Sequence, residues 1–202
     1  MKQPNFSSGY DVVIYNMCFA DDLDTQRIDN VIGQTRDRGV PAVLLHCTMH
    51  SFRGTSPNSA WWNWRRRHKL KRAEENWSLE NPGVDFPYWW TFTGIDTTGH
   101  DWARAMVAQR ADGVHPITAS LPARIETRKD ELYQNLAVKD EVTPLYTAYS
   151  PQSRQNHIVA WTHSVGEGQV FATTLGHGDS TIQLSDYHHL LANGIAYVTG
   201  HL

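Results

Sequence analysis

The sequence has few cysteines and no long apolar segment, and each of these absences excludes a class of protein. Among its 202 residues only Cys18 and Cys47 are cysteines, which is too few for a disulfide framework. Both lie within or at the end of apolar runs, so we expect buried, reduced thiols. No apolar run approaches the roughly 20 residues that a membrane helix needs, and the chain start lacks a signal peptide's apolar core. As written, the sequence predicts a soluble cytoplasmic protein without a membrane partner.

A strong charge of one sign is also missing, and this argues against a nucleic-acid partner. The net charge is −3, with 19% charged and 40% hydrophobic residues. Six basic residues do cluster between Arg65 and Arg72, beside tryptophans, which is a pattern seen in nucleic-acid-binding proteins. However, Glu74 and Glu75 follow directly, and a basic run is usually a solvated helix face. We therefore predict no nucleic-acid partner.

Linkers, internal repeats and low-complexity segments are absent as well, so residues 1–202 are predicted to form a single domain. Within it, residues 51–103 stand out as an aromatic and basic segment that resembles an insertion. Seven of the eight tryptophans fall in this segment: Trp61, Trp62, Trp64, Trp77, Trp89, Trp90 and Trp102. Aromatic side chains mostly pack in cores, which is the interpretation we favour. The alternative is a pocket wall that offers flat apolar faces to a sugar ring.

The first part of the chain has the pattern of a strand, a helix and a second strand. Tyr10–Asn16 is rich in strand-forming residues, and helical spacing follows between Asp24, a candidate cap, and Gly39, a candidate stop. Val40–His46 is an almost continuous apolar run, which is typical of a strand buried on both faces. Such a βαβ unit predicts parallel pairing with a right-handed crossover.

The second of these strands ends in side chains that carry chemistry. His46, Cys47 and His50 follow the apolar run directly, and ligands of open α/β sheets bind at the carboxyl ends of such strands. The sequence therefore predicts a functional site at this strand end.

The second half of the chain predicts an antiparallel hairpin near the C-terminus. The pattern predicts three strands, at Pro144–Tyr149, His157–Thr162 and Gln169–Thr174. A short glycine-bearing link joins the last two. His163 lies at the turn and His177 past the far end, about 20 Å away at ~3.3 Å per residue. At most one of these two histidines is expected to share a site with His46.

Four motifs, in order and with their spacing, closely resemble the ThuA-like (trehalose utilisation) family. They are His115–Thr118, Asp130–Tyr133, Val159–His163 and Gly166–His177. With the first strand, the strand ending in His46 and an apolar helix after Ser185, the resemblance covers nearly the whole chain. It implies a three-layer, flavodoxin-like α/β sheet of the class I glutamine amidotransferase-like superfamily, and a role in bacterial carbohydrate use.

The sequence departs from the family pattern at its start. Members of the family are expected to begin with a further strand and helix, usually with a glycine-rich turn, before the position of Tyr10. Either the sequence is a truncated form, which would leave the location of the full protein open, or the sheet has lost its usual first βα unit.

A second departure concerns the nucleophile of the related amidotransferases. Those enzymes hold a cysteine on a sharp turn between glycines, where the thiol is exposed and backbone amides stabilise an oxyanion. Cys47 is at the corresponding strand end, but Leu45 and Met49 replace the glycines. The downstream His-x-Glu pairing of those enzymes is also absent. Glutamine hydrolysis is therefore not expected.

The resemblance makes His46 and His177 the pair expected to face one pocket, with Glu131 nearby. One interpretation is general acid–base catalysis, for which an imidazole and a carboxylate are suited. The other is a metal site, because two imidazoles and a carboxylate suit zinc or another divalent ion. We rank the metal site lower, because His46 and His50 would align at this spacing only on a helix and His46 is predicted to end a strand.

Further candidates for substrate binding are His50, Arg53, His115, Trp161 and Asp179. Arg53 has a fork of donors suited to an anionic or hydroxyl-rich ligand, although a surface ion pair explains it equally well. His115 precedes a proline and is explained almost as well by a turn. Asp179 is equally suited to capping a helical turn.

Together these residues predict a protein of bacterial carbohydrate utilisation that acts on trehalose or a related sugar, oxidised sugars included, by histidine and glutamate acid–base chemistry. Two alternatives stay open: a non-catalytic carbohydrate-binding or assembly module, and a hydrolase that uses Cys47. The expected partner is a small carbohydrate, and homo-oligomerisation is left open.

Overall fold

The structure, a computed structural model, describes residues 1–58 and 64–202. Trp61 and Trp62 of the aromatic segment lie outside the described residues. The strands are β1 (Val13–Tyr15), β2 (Ala42–Leu45), β3 (Ile95–Asp96), β4 (Arg104–Arg110), β5 (Arg124–Asp130), β6 (Ala137–Val138), β7 (Thr143–Ser150), β8 (Gln155–Val165) and β9 (Gly168–Thr173). The α-helices are α1 (Thr25–Arg36), α2 (Trp64–Glu80), α3 (Trp89–Thr93), α4 (Asp179–Ile182) and α5 (Ser185–Val198). Short 3₁₀ helices span His46–His50, Arg53–Thr55 and Pro116–Thr118.

Seven of the strands form one mixed sheet in the order β1-β2-β9-β8-β7-β4-β5. The pairs β1 with β2 and β2 with β9 are parallel, and the remaining pairs are antiparallel. The predicted parallel βαβ unit and the predicted hairpin of β8 and β9 are both confirmed. Strands β3 and β6 form a separate two-stranded antiparallel sheet.

Two apolar clusters lie on the two faces of the large sheet and make the architecture three-layered. Residues of β2 alternate between them, because Val43 belongs to one cluster while Ala42 and Leu44 belong to the other. Helices α1 and α3 cover the face of Ala42, and α5 with the 3₁₀ helix Pro116–Thr118 covers the face of Val43. The molecule is thus an α/β protein, as the sequence predicts.

A side-chain cap explains where α1 begins, and close packing explains why the hairpin turn contains glycine. The Asp24 side chain accepts a hydrogen bond from the Arg27 backbone N–H at 3.0 Å, which makes Asp24 the predicted N-cap. The turn between β8 and β9 packs against the end of α1, where a Cβ on Gly166 would lie 2.1 Å from the Arg36 carbonyl oxygen. Only glycine fits this approach, and its φ of +55° adds a second reason.

The aromatic segment divides between core and surface. Trp77 and Trp89 are buried, whereas Trp64 and Trp102 are 70% and 83% exposed. The basic residues of α2 are largely exposed, in agreement with the expectation of a solvated helix face. Within residues 1–58 and 64–202, no helix has the length and apolar character needed to cross a membrane.

His163, on β8, makes the stability of the fold sensitive to acid. Its Nε2–H donates to the Phe92 carbonyl oxygen at 3.0 Å, and burial lowers its pKa to about 4. The unfolded chain, with a histidine pKa near 6.5, therefore takes up a proton first as the pH falls. The stabilisation that neutral His163 gives to the folded protein is fully present above about pH 6.5. As the pH falls towards 4, the free energy of unfolding decreases by up to about 1.4 kcal/mol per pH unit.

We expect His163→Gln, which keeps a side-chain donor, to flatten the dependence of unfolding free energy on pH between 6.5 and 4. Urea unfolding at several pH values measures this slope, and the exposed His188→Gln is the matched control. A His163→Gln profile as steep as that of His188→Gln would show that His163 titrates normally in the folded protein.

Candidate active site

His46 lies at a sharp turn between β2 and a 3₁₀ helix, and not within a strand as predicted. β2 ends at Leu45, and His46 has a φ of 37°, in the left-handed region that costs a non-glycine residue about 1–3 kcal/mol. The prediction that His46 and His50 cannot share a helix is therefore wrong, because the 3₁₀ helix contains both. This helix is anchored by Thr48, whose hydroxyl donates to the Tyr15 carbonyl and whose own carbonyl accepts from Trp89 Nε1.

The His46 ring is held in one tautomer by the strand next to β2. Its Nδ1 lies 2.6 Å from the carbonyl oxygen of Thr174, just after β9. Since a carbonyl only accepts, Nδ1 carries the proton and Nε2 presents a lone pair. The Tyr133 hydroxyl, 3.2 Å from Nε2, is oriented to donate to it.

Asp130, the last residue of β5, holds the other two predicted catalytic residues in place. Its carboxylate is 1% exposed and accepts three backbone hydrogen bonds of 2.9 Å, from Glu131, Gly176 and His177. A single buried side chain therefore fixes both the segment that carries Glu131 and the loop that carries His177.

The side chains of His46, Glu131 and His177 converge on one point. His177 Nδ1 lies 3.3 Å from Glu131 Oε2 and 3.3 Å from His46 Nε2. Glu131 Oε2 lies 3.6 Å from His46 Nε2. The Glu131 and His46 side chains are 15% and 11% exposed, whereas that of His177 is 43% exposed. The cluster is thus sheltered on one side and open to solvent at His177.

A stack of three rings lies beside this centre, formed by Tyr133, His50 and His100. The His50 and Tyr133 rings are parallel within 9°, with centroids 3.9 Å apart, and His100 lies 5.5 Å from Tyr133. His100 Nδ1 also lies 3.7 Å from Glu131 Oε1. Neither His100 nor Tyr133 was proposed as a site residue from the sequence. One signal in the sequence could have identified Tyr133. Residues two apart in an extended segment share a side, so Tyr133 is expected on the same side as Glu131.

Burial favours the neutral form of two histidines of this site, His46 and His50. It lowers the pKa of His46, against the opposing effects of the Thr174 hydrogen bond and the Asp130 and Glu131 charges. Burial, with a smaller contribution from the Arg53 charge, lowers the pKa of His50 to about 3. At neutral pH these imidazoles therefore act as hydrogen-bonding groups and lone-pair donors, not as fixed charges.

Cys47 has the wrong environment for a nucleophile. Burial, followed by its contact with Cys18, raises the pKa of the Cys47 thiol to about 11, so little thiolate exists at neutral pH. Cys18 itself is exposed. The prediction that both cysteines are buried is therefore wrong for Cys18, which lies in the loop after β1, and Cys47 is only partly buried.

Three further residues were predicted to bind substrate. Arg53 and Asp179 lie close in sequence to residues of the site, whereas His115 lies elsewhere in the fold. Arg53 begins the 3₁₀ helix after His50 and acts on the His50 pKa through its charge. Asp179 is exposed in the first turn of α4, two residues after His177. The His115 side chain caps the 3₁₀ helix Pro116–Thr118 and packs against Tyr197, far along α5.

Trp161 lies in the core, where it has no accessible surface. Its Nε1 donates to the Thr93 carbonyl oxygen at 2.8 Å. The indole is thus satisfied inside the protein and presents no atom to a ligand. The physical reason is strand alternation, which turns Trp161 towards the cluster covered by α1 and α3.

Comparison with solved structures shows which fold the chain has. A protein described as ThuA-like from Parabacteroides merdae matches with a TM-score of 0.65 and 19% identity, over 96% of this chain and 71% of that chain. One described as ThuA-like from Bacteroides uniformis matches with a TM-score of 0.62 and 18% identity, over 94% and 69% of the two chains. A protein from Thermoplasma acidophilum, described as part of a GMP synthase, has a TM-score of 0.53 and 11% identity, over 98% and 77%. The fold is that of the class I glutamine amidotransferase-like proteins.

The family follows from the sequence match. The family model described as ThuA, trehalose utilisation, matches residues 68–198, which is more than half of the chain. The chain belongs to the ThuA family. No curated protein matches it.

Proposed function

We propose that this ThuA-family protein is an enzyme that converts trehalose or a related or oxidised sugar by acid–base chemistry at His46, Glu131 and His177. The observation that carries this proposal is the convergence of His46 Nε2, Glu131 Oε2 and His177 Nδ1 within 3.3–3.6 Å of one another. A carboxylate and two imidazoles this close together can accept, hold and return a proton. Hydrolysis, elimination and isomerisation of sugars all need such transfers.

The three side chains have different positions and therefore different roles. His177 is the most exposed of the three, so it is the group that a substrate hydroxyl or ketone meets first. Glu131 stabilises the imidazolium that forms when His177 takes a proton. His46 offers its Nε2 lone pair as a second acceptor, with the Tyr133 hydroxyl beside it as a donor.

The test is conversion of a panel of sugars followed by NMR, with trehalose, other glucosides and their keto and carboxylate derivatives. We expect the wild-type protein to convert at least one of them. His46→Asn, which tolerates the left-handed backbone, and His177→Gln should lose turnover while the affinity for the same sugar, measured calorimetrically, is retained. Binding without conversion by the wild-type protein would instead support a carbohydrate-binding module, and unchanged conversion by both variants would overturn the catalytic assignment.

Cys47→Ser tests the remaining alternative, a thiol-dependent hydrolase. We expect its turnover to stay within about twofold of wild type, because a thiol with a pKa of about 11 contributes little thiolate at neutral pH. Steady-state rates of the two proteins on the same sugar decide the question. A loss of roughly 100-fold or more would make Cys47 the nucleophile and reverse our ranking of the two mechanisms.

A further inference from the structure

We propose that His46 Nε2, His177 Nδ1 and Glu131 Oε2 bind a divalent transition-metal ion of the zinc type in four-coordinate geometry. These three atoms belong to a histidine, histidine and glutamate set in which all ligand atoms lie within 4.8 Å. Two imidazoles and one carboxylate are a known ligand set of zinc sites that keep a fourth position open. The inference concerns the site of the proposed function, but metal binding itself does not depend on which sugar is converted.

The spacing of the three atoms matches a tetrahedral ion. The three atoms form a triangle with sides of 3.3, 3.3 and 3.6 Å, whose centre lies about 2.0 Å from each atom. An ion with bonds of about 2.1 Å would therefore lie about 0.7 Å out of the plane of the three atoms, on the side of a fourth ligand. Zinc bonds to imidazole nitrogen and carboxylate oxygen are about 2.0–2.2 Å long, which in a tetrahedron separates neighbouring ligand atoms by about 3.3–3.6 Å. An octahedral ion with bonds of about 2.1 Å would need ligand atoms about 3.0 Å apart. The observed separations therefore favour four-coordination.

The groups around these ligands are arranged as metal sites require. Metal-binding histidines commonly donate their second ring N–H to a carbonyl or carboxylate, which fixes the tautomer. His46 does this through Nδ1 and the Thr174 carbonyl oxygen, so its Nε2 carries no proton. An ion would take the Nε2 lone pair in place of the Tyr133 hydroxyl that now donates to it. Asp130, with its backbone bonds to Glu131 and His177, fixes the other two ligands.

Bound metal would change the roles of the residues in the proposed reaction. His46 and His177 would then serve as ligands, and the ion would polarise a sugar oxygen at the open position. Proton transfer would pass to neighbouring groups such as the Tyr133 hydroxyl, 3.2 Å from His46 Nε2, and His100, 3.7 Å from Glu131 Oε1.

The experiment is metal binding by the full chain after treatment with a chelator. We expect elemental analysis and calorimetry with Zn²⁺ to give one ion per chain, and Co²⁺ to give the intense visible absorption of a four-coordinate site. His177→Gln and Glu131→Gln should each weaken Zn²⁺ binding by at least about 10-fold to 100-fold. The exposed His188→Gln and the Cys47→Ser variant should bind like wild type, and circular dichroism verifies that each variant is folded.

Three results would overturn the inference: no stoichiometric Zn²⁺ binding, weak six-coordinate Co²⁺ spectra, or loss of binding in Cys47→Ser but not in His177→Gln. The last of these results would indicate that the ion binds to the thiols of Cys18 and Cys47 instead. The metal site and the proposed function fail separately. Absence of Zn²⁺ binding with sugar turnover intact refutes the metal site alone, and stoichiometric Zn²⁺ binding without turnover of any sugar refutes the proposed function alone.

Discussion

Glu131→Gln is expected to lower the turnover of the sugar substrate by about 10²–10⁴-fold, the usual contribution of an acid–base group. Glutamine keeps the size of the side chain but removes the charge that faces three imidazoles. His46, His177 and His100 all lie within 3.7 Å of the carboxylate. Without the charge, an imidazolium formed during the reaction is no longer stabilised. Steady-state kinetics should show the loss in kcat, with a much smaller change in KM.

Glu126→Gln is the matched control for this substitution. Glu126 lies on β5, five residues before Glu131, and is exposed. Its replacement removes one negative charge from the same part of the chain without touching the site, so turnover should stay within about twofold. Equal effects of the two substitutions would mean that Glu131 acts only through net charge, and a Glu131→Gln enzyme at wild-type speed would remove it from the mechanism.

Asp130→Ala is expected to lower both the free energy of unfolding and the turnover. The substitution leaves the part-buried backbone N–H groups of Glu131, Gly176 and His177 without their acceptor. An unsatisfied buried group costs about 1–3 kcal/mol, and we take the lower end of this range for each of the three. We expect a destabilisation of about 3 kcal/mol or more, measured by urea unfolding. Because Asp130 positions Glu131 and His177, kcat should also fall under conditions in which the variant is fully folded.

Two further variants separate positioning by Asp130 from general damage to the fold. Asp130→Asn keeps one acceptor oxygen and should fall between wild type and alanine in both measurements. The exposed Asp140→Ala should match wild type within about 0.5 kcal/mol. Full turnover in a destabilised Asp130→Ala protein would show that the carboxylate stabilises the fold without positioning the site.

Part of this site could be predicted from strand ends alone. β2 and β9 are parallel neighbours. The residues that follow them, His46 and His177, therefore lie together at the carboxyl ends of the two strands. Glu131 could not be placed in this way, because β5 lies at the opposite edge of the sheet from β1. Its inclusion rested on the family resemblance, and in the structure the Asp130 hydrogen bonds bring it to the His177 loop.

Other features depended on contacts that no sequence pattern reports. The left-handed φ of His46, 37°, was not predicted from the sequence. The stack of His50, Tyr133 and His100 joins three distant segments through ring contacts. Conversely, Trp161 appeared in a family motif, but the motif alone did not show that the indole faces the core.

The central claim is that His46, Glu131 and His177 act as one centre, and the turnover of a double variant tests it most directly. Residues that act as a unit have strongly non-additive effects on rate. We therefore predict that Glu131→Gln combined with His177→Gln is about as slow as the slower of the two single variants, within about threefold. A double variant slowed by the full product of the two single effects would contradict the claim, because it would show that the two side chains act independently.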